Sequence, residues 1–95
     1  MTMRIAGYIE HPILKITIFQ MDNRFSVKLE TARHEQTYKF RKGGPVDTVE
    51  DVRKLVDEPF IAGVIAQMKN MDENQRAALQ RMDTNKGPDE FPTII

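Results

Sequence analysis

Asp22-Asn23 separates two stretches in which apolar and polar residues alternate. Residues 13–21 are rich in β-branched and aromatic types. Leu14, Ile16 and Ile18 fall on one face of that stretch, and Lys15, Thr17, Phe19 and Met21 on the other. In residues 24–31, Phe25, Val27 and Leu29 share a face opposite Arg24, Ser26, Lys28 and Glu30. A period of two marks a half-buried strand. Asp and Asn tolerate the positive φ of a two-residue type I′ turn, so the spacing predicts a tight hairpin. Such a loop pairs Met21 with Arg24, and the other rungs follow. Ile18 faces Val27 and Ile16 faces Leu29 on the apolar side; Lys15 faces Glu30 on the other. A slip of one residue would send the whole apolar set to the wrong face.

The same test extends the sheet. Residues 34–41 place Gln36, Tyr38 and Phe40 on one face and Glu35, Thr37, Lys39 and Arg41 on the other. With Ala32-Arg33 as the loop, Leu29 faces Gln36, Val27 faces Tyr38 and Phe25 faces Phe40. A longer loop or a bulge is the alternative, because Ala-Arg is poor turn chemistry. The outer face of this hairpin then pairs Glu30 with Glu35 and Arg24 with Arg41, both like-charged. Residues 3–10 predict a further strand, ended by His11-Pro12.

Lys42-Gly43-Gly44-Pro45 breaks the alternation. Thr48 and Asp51 form a capping-box pattern, and Val49, Val52, Leu55 and Val56 make one helical face. Asp57-Glu58-Pro59 starts a second helix, with proline in its first turn. Val64, Met68, Met71, Leu79 and Met82 recur along it, widened by Ile61 and Ile65. The polar run from Asn70 to Asn74 leaves open whether this is one helix or two. The expected fold is α+β: a three- to four-stranded antiparallel β-meander, then two helices on one sheet face, the second long or kinked. Residues 1–83 are expected to form a single domain and residues 84–95 a flexible tail containing glycine and two prolines.

Composition narrows the chemistry. With no cysteine, disulfides, thiolate metal sites and cysteine nucleophiles are excluded. No apolar run reaches the roughly 20 residues needed to span a bilayer, and Met1 to Glu10 lacks a signal-peptide pattern. A cytoplasmic location without membrane attachment is expected. His11 and His34 have no second histidine at ligand spacing. Ser26, the only serine, falls mid-strand between Arg24 and Lys28. The paired acids Glu50-Asp51, Asp57-Glu58, Asp72-Glu73 and Asp89-Glu90 fall where helix starts or a solvated tail favour them. No catalytic set, metal or cofactor is expected.

Charge is uneven although the chain is neutral overall. Residues 1–45 carry eight basic against four acidic residues, and residues 46–95 carry six against ten. Attraction between sheet and helices at their rims explains this; a basic sheet face meeting an acidic partner is the alternative.

Three functions follow as expectations. The first is a non-enzymatic interaction module that binds another protein or a second copy, a homodimer, through Phe19, Met21, Met71, Leu79 and Met82. A helix this long outruns strands of about eight residues, so its distal half needs another covering. The apolar tail Phe91-Pro92-Thr93-Ile94-Ile95 could dock as an added strand. The second is single-stranded nucleic-acid binding through Lys15, Phe19, Arg24, Lys28, Lys39 and Arg41. The third is an accessory enzyme subunit to which His34 and Glu35 contribute.

The run from His11-Pro12 through Leu14-Lys15-Ile16, Asn23-Arg24-Phe25, Lys28-Leu29-Glu30 and Glu35-Gln36-Thr37-Tyr38-Lys39, with the Phe60 helix, resembles a group of small bacterial proteins seen mainly in Bacteroidetes. It covers roughly residues 8–82 and implies no activity. The order of strands then helix is also similar to whirly-type and related single-stranded DNA-binding proteins, but no motif of theirs is present, so no residue roles carry over.

Overall fold

The computed structural model describes residues 3–85 of the chain. Four strands, β1 (Arg4–Ile9), β2 (Lys15–Gln20), β3 (Arg24–Glu30) and β4 (Glu35–Arg41), form one antiparallel sheet in the order β1-β2-β3-β4. Two helices follow, α1 (Val49–Leu55) and α2 (Glu58–Asn85).

Both predicted hairpin registers hold rung by rung. Ile18 pairs with Val27, Ile16 with Leu29 and Lys15 with Glu30. Leu29 pairs with Gln36, Val27 with Tyr38, Phe25 with Phe40 and Arg24 with Arg41. Alternation fixed this, because only one register puts every large apolar side chain on the buried face.

The turns differ from the expectation. Among the described residues no non-glycine residue has positive φ, so Asp22-Asn23 is not a type I′ turn. Met21 N–H still donates to the Arg24 carbonyl at 2.9 Å, so the loop keeps its two residues. Without a glycine, the pair avoids the steric cost of a left-handed conformation. At the second turn, Thr31 N–H donates to the His34 carbonyl at 2.9 Å, and Thr31 Oγ1 accepts from the N–H groups of Arg33 and His34. That hydroxyl supplies what the Ala-Arg loop lacks, and the longer loop is not formed.

The inner face of the sheet and one side of each helix make the core. Ile16, Ile18, Val27, Leu29 and Phe25 are buried with Leu14, Val46, Val52, Val56, Val64 and Met68. Gln36, polar on this face, donates from Nε2 to the Val64 carbonyl at 2.9 Å and accepts from the Tyr38 hydroxyl at 2.6 Å. The Tyr38 ring meets Phe60 edge-on at 4.9 Å.

The expected helix starts are present. Thr48 and Asp51 form a reciprocal capping box, and Asp57 Oδ1 accepts from Phe60 N–H at 3.0 Å. The polar run from Asn70 to Asn74 does not break α2, which is continuous over 28 residues. Within that run Asp72 turns back to the sheet, pairing with Arg33 at 3.0 Å and with Arg76 one turn on. Thr84 and Asn85, expected in the tail, continue the helix. The proposed strand at Phe91–Ile95 lies outside the described residues.

Candidate functional site

The sheet has one face under the helices and one face that no described element covers. Strand β1 decides what the second face carries. Its pairing with β2 shifts between Ile5 and Gly7: Ile5 faces Phe19, whereas Gly7 faces Ile18. The extra residue, Ala6, forms a β-bulge. Without it, Ile5 and Tyr8 would point to opposite faces, because side chains alternate along a strand. With it, both stand on the outer face, about half exposed, Ile5 at 52% and Tyr8 at 53%.

The outer face therefore has rows running across the strands. One is Ile5, Phe19, Ser26 and Lys39; the next is Tyr8, Thr17, Lys28 and Thr37. At one end of β3 and β4 lies Arg24 opposite Arg41, and at the other end Lys15, Glu30 and Glu35. Thr17 and Ser26 are each only 4% exposed although no described element lies over them. Longer neighbours shield them: the Lys28 ammonium stands 5.8 Å from the centre of the Phe19 ring.

This separates the basic residues named from the sequence. Arg24, Lys28, Lys39 and Arg41 gather with Phe19 toward the arginine end. Lys15 lies apart, in the row with Glu30 and Glu35. Lys28 also contacts Glu30, at 3.5 Å. Among the described residues no acid pairs with Arg24, Lys39 or Arg41, and Arg24 Nε is a buried atom with no hydrogen-bond partner.

The residues named for self-association fall in two places. Phe19 and Met21 belong to the outer sheet side, and both are half-buried. Met71, Leu79 and Met82 lie on α2. A 28-residue helix runs about 42 Å, whereas a seven-residue strand runs about 23 Å. The sheet covers the near half of α2 only. Val64 is 1% and Met68 8% exposed, while Leu79 is 58% and Met82 54% exposed.

His34 and Glu35 are not brought together. His34 turns toward α2, with Nε2 3.6 Å from Asp72 Oδ1, while Glu35 faces Glu30 on the outer side. Adjacent residues in a strand point to opposite faces, so the pair cannot share a site there. Among the described residues no group of three acidic or histidine side chains has metal-binding geometry, and no helix is long and apolar enough to cross a membrane.

Sequence reasoning missed Ile5 and Tyr8. The signal was faint: Ile5-Ala6-Gly7-Tyr8 places small residues between two large ones, which is where a bulge fits. Comparison of the chain with protein-family models, with curated proteins and with solved structures found no match.

Proposed function

We propose that this protein is a non-enzymatic interaction module that self-associates through the distal half of α2. The observation carrying this reading is the change in exposure along one helical stripe. Ile61, Val64, Met68 and Met71 are buried or half-buried on the domain, and the same stripe continues through Ala78 to Met82 beyond the sheet. Spacing alternates between three and four residues, the pattern of helices that pack along a seam, with Gln75 its one polar member.

The charges of this segment suit a second copy. Residues 73–84 carry Glu73 and Asp83 against Arg76 and Arg81, so two copies do not repel. A symmetric pair would cover Leu79 and Met82 twice. At about 25 cal/mol per Å² of apolar area, four half-exposed side chains contribute on the order of 4–6 kcal/mol. Association itself costs several kcal/mol, so these four side chains alone do not hold a pair; a dissociation constant of about 1 mM needs about 4 kcal/mol net, and the rest of the seam has to supply the difference. Helices of other proteins with a matching seam would bind at the same place.

Sedimentation equilibrium tests this across about 10 μM to 1 mM. The reading expects a mass that rises toward the dimer, and Met82→Lys keeps the chain monomeric throughout. A mass that stays monomeric at the highest concentration overturns self-association.

A further inference from the structure

We propose that the outer face of the sheet binds single-stranded nucleic acid, with Tyr8 and Phe19 stacking on bases and Arg24, Lys28, Lys39 and Arg41 holding phosphates. The argument starts from the Arg24–Arg41 rung. Like charges directly opposite each other destabilise an isolated sheet, so this rung suits a face that meets an anion. The next two rows add Lys39 and Lys28; no acid stands in any of the three, and only Lys28 reaches one in the row beyond, Glu30 at 3.5 Å. These rows are about 7 Å apart along the strands, a distance comparable to one nucleotide of an extended strand.

Charge also decides against a second copy on this face. Stacking two such faces about a twofold axis would bring the four cations of each together. Self-association belongs to the neutral distal end of α2, and the two surfaces are separate. A polyanion fits the basic rows, and the aromatic pair narrows the class further. Tyr8 faces Thr17, two residues from Phe19 on the neighbouring strand, so the rings are diagonal neighbours. Base-paired nucleic acid hides its base faces, whereas an unpaired strand offers them for stacking. The bulge at Ala6 bears directly on this site, because it puts Tyr8 on the basic face.

Fluorescence anisotropy of the full chain with a labelled mixed-sequence DNA strand of about 20 nucleotides tests the proposal at about 20 mM salt. Binding is expected, with a log–log salt slope near −3 for about four phosphate contacts at −0.7 each. Tyr8→Ala is expected to weaken binding about tenfold, and K39E with R41E more than tenfold, both with far-ultraviolet circular dichroism unchanged. Amide shift mapping of the unmodified protein is expected to place the perturbations on β1–β4 outer-face residues, which keeps the test decisive if a variant fails to fold. Four outcomes overturn the proposal: no binding at low salt; shifts confined to α2; duplex binding as tight as single strand with Tyr8→Ala neutral; or binding to anionic lipid vesicles or an acidic peptide but not the oligonucleotide. Binding is read from the labelled strand and located by amide shifts, and neither requires the free protein to be a dimer, so failure here is distinct from failure of self-association.

Discussion

Gln36 in β4 donates its side-chain amide to the carbonyl of Val64 in α2, 28 residues away, at 2.9 Å. The same side chain accepts the Tyr38 hydroxyl at 2.6 Å. A polar residue on the apolar face is thereby satisfied at both ends, and the sheet gains a directional tie to the long helix. Hydrophobic packing alone would leave α2 freer to slide along the sheet.

Gln36→Leu should therefore do more than exchange one side chain for another. It leaves the Tyr38 hydroxyl without its partner in a half-buried place, at a cost of about 1–2 kcal/mol. Tyr38→Phe alone is expected to cost about 1 kcal/mol. Because both changes break the same hydrogen bond, the double variant should lose less than the two losses added together. Urea unfolding checks this, with a lower midpoint and an unchanged m-value in each case.

The two halves of α2 should respond oppositely to truncation. Met68 is 8% exposed within the core, so Met68→Ala is expected to cost about 2–4 kcal/mol. Leu79 and Met82 are more than half exposed, so replacing either with serine should change stability by no more than about 0.5 kcal/mol in dilute protein. Denaturant melts at low micromolar concentration separate these cases. A large loss at Met82 in the monomer would mean that the distal helix is covered by the chain itself.

Asp51 links stability to pH. The Asp47 and Thr48 backbone N–H groups donate to its carboxylate and hold its pKa below the ordinary value of 3.8, with the Thr48 hydroxyl and Lys54 adding to the effect. A depressed carboxylate stabilises the fold fully above its unfolded pKa and loses that contribution as pH falls through the folded one. Asp51→Asn should thus flatten the stability profile below about pH 4. Thr48→Ala removes the other half of the capping box and is expected to cost about 1 kcal/mol at neutral pH. Thermal melts between about pH 2 and 7 read both effects.

Asp72 ties the helix to the turn between β3 and β4 through Arg33 at 3.0 Å. Arg33 is 57% exposed, so solvent weakens the pair. Asp72→Ala is expected to cost about 0.5–1 kcal/mol at low salt and less at about 1 M salt, where screening is strong. Equal losses at both salt concentrations would assign the role of Asp72 to something other than charge.

How much of this was legible beforehand depends on how far apart the interacting residues are. The registers of β2 with β3 and of β3 with β4 were readable, because strict alternation leaves one pairing that buries Ile16, Ile18, Phe25, Val27 and Leu29 together. The capping box at Thr48 was readable for the same reason: its donors and acceptors lie within four residues. The like-charged rung of Arg24 and Arg41 followed from the register, as did Phe19, Lys28 and Lys39 on the same face, and these are the part of the candidate site that the sequence alone supplied.

Only the tertiary structure decided the rest. Gly7 accommodates the Arg53 guanidinium, which approaches within 2.6 Å of where a Cβ would stand and donates to the Tyr8 carbonyl. No local pattern announces a contact between residues so far apart in the chain. The bulge at Ala6 is similar: β1 has only an edge position and weak alternation, so its register comes from packing against β2 and α1. That bulge moves Tyr8 to the outer face beside Phe19. The helical stripe of α2 was readable, but not that it forms one continuous helix, nor where its cover ends, because burial depends on where the sheet stops. Local periodicity therefore determined which residues share a face. Packing between distant segments determined which faces are covered, and with that the basic aromatic surface and the distal end of α2 that no described element covers.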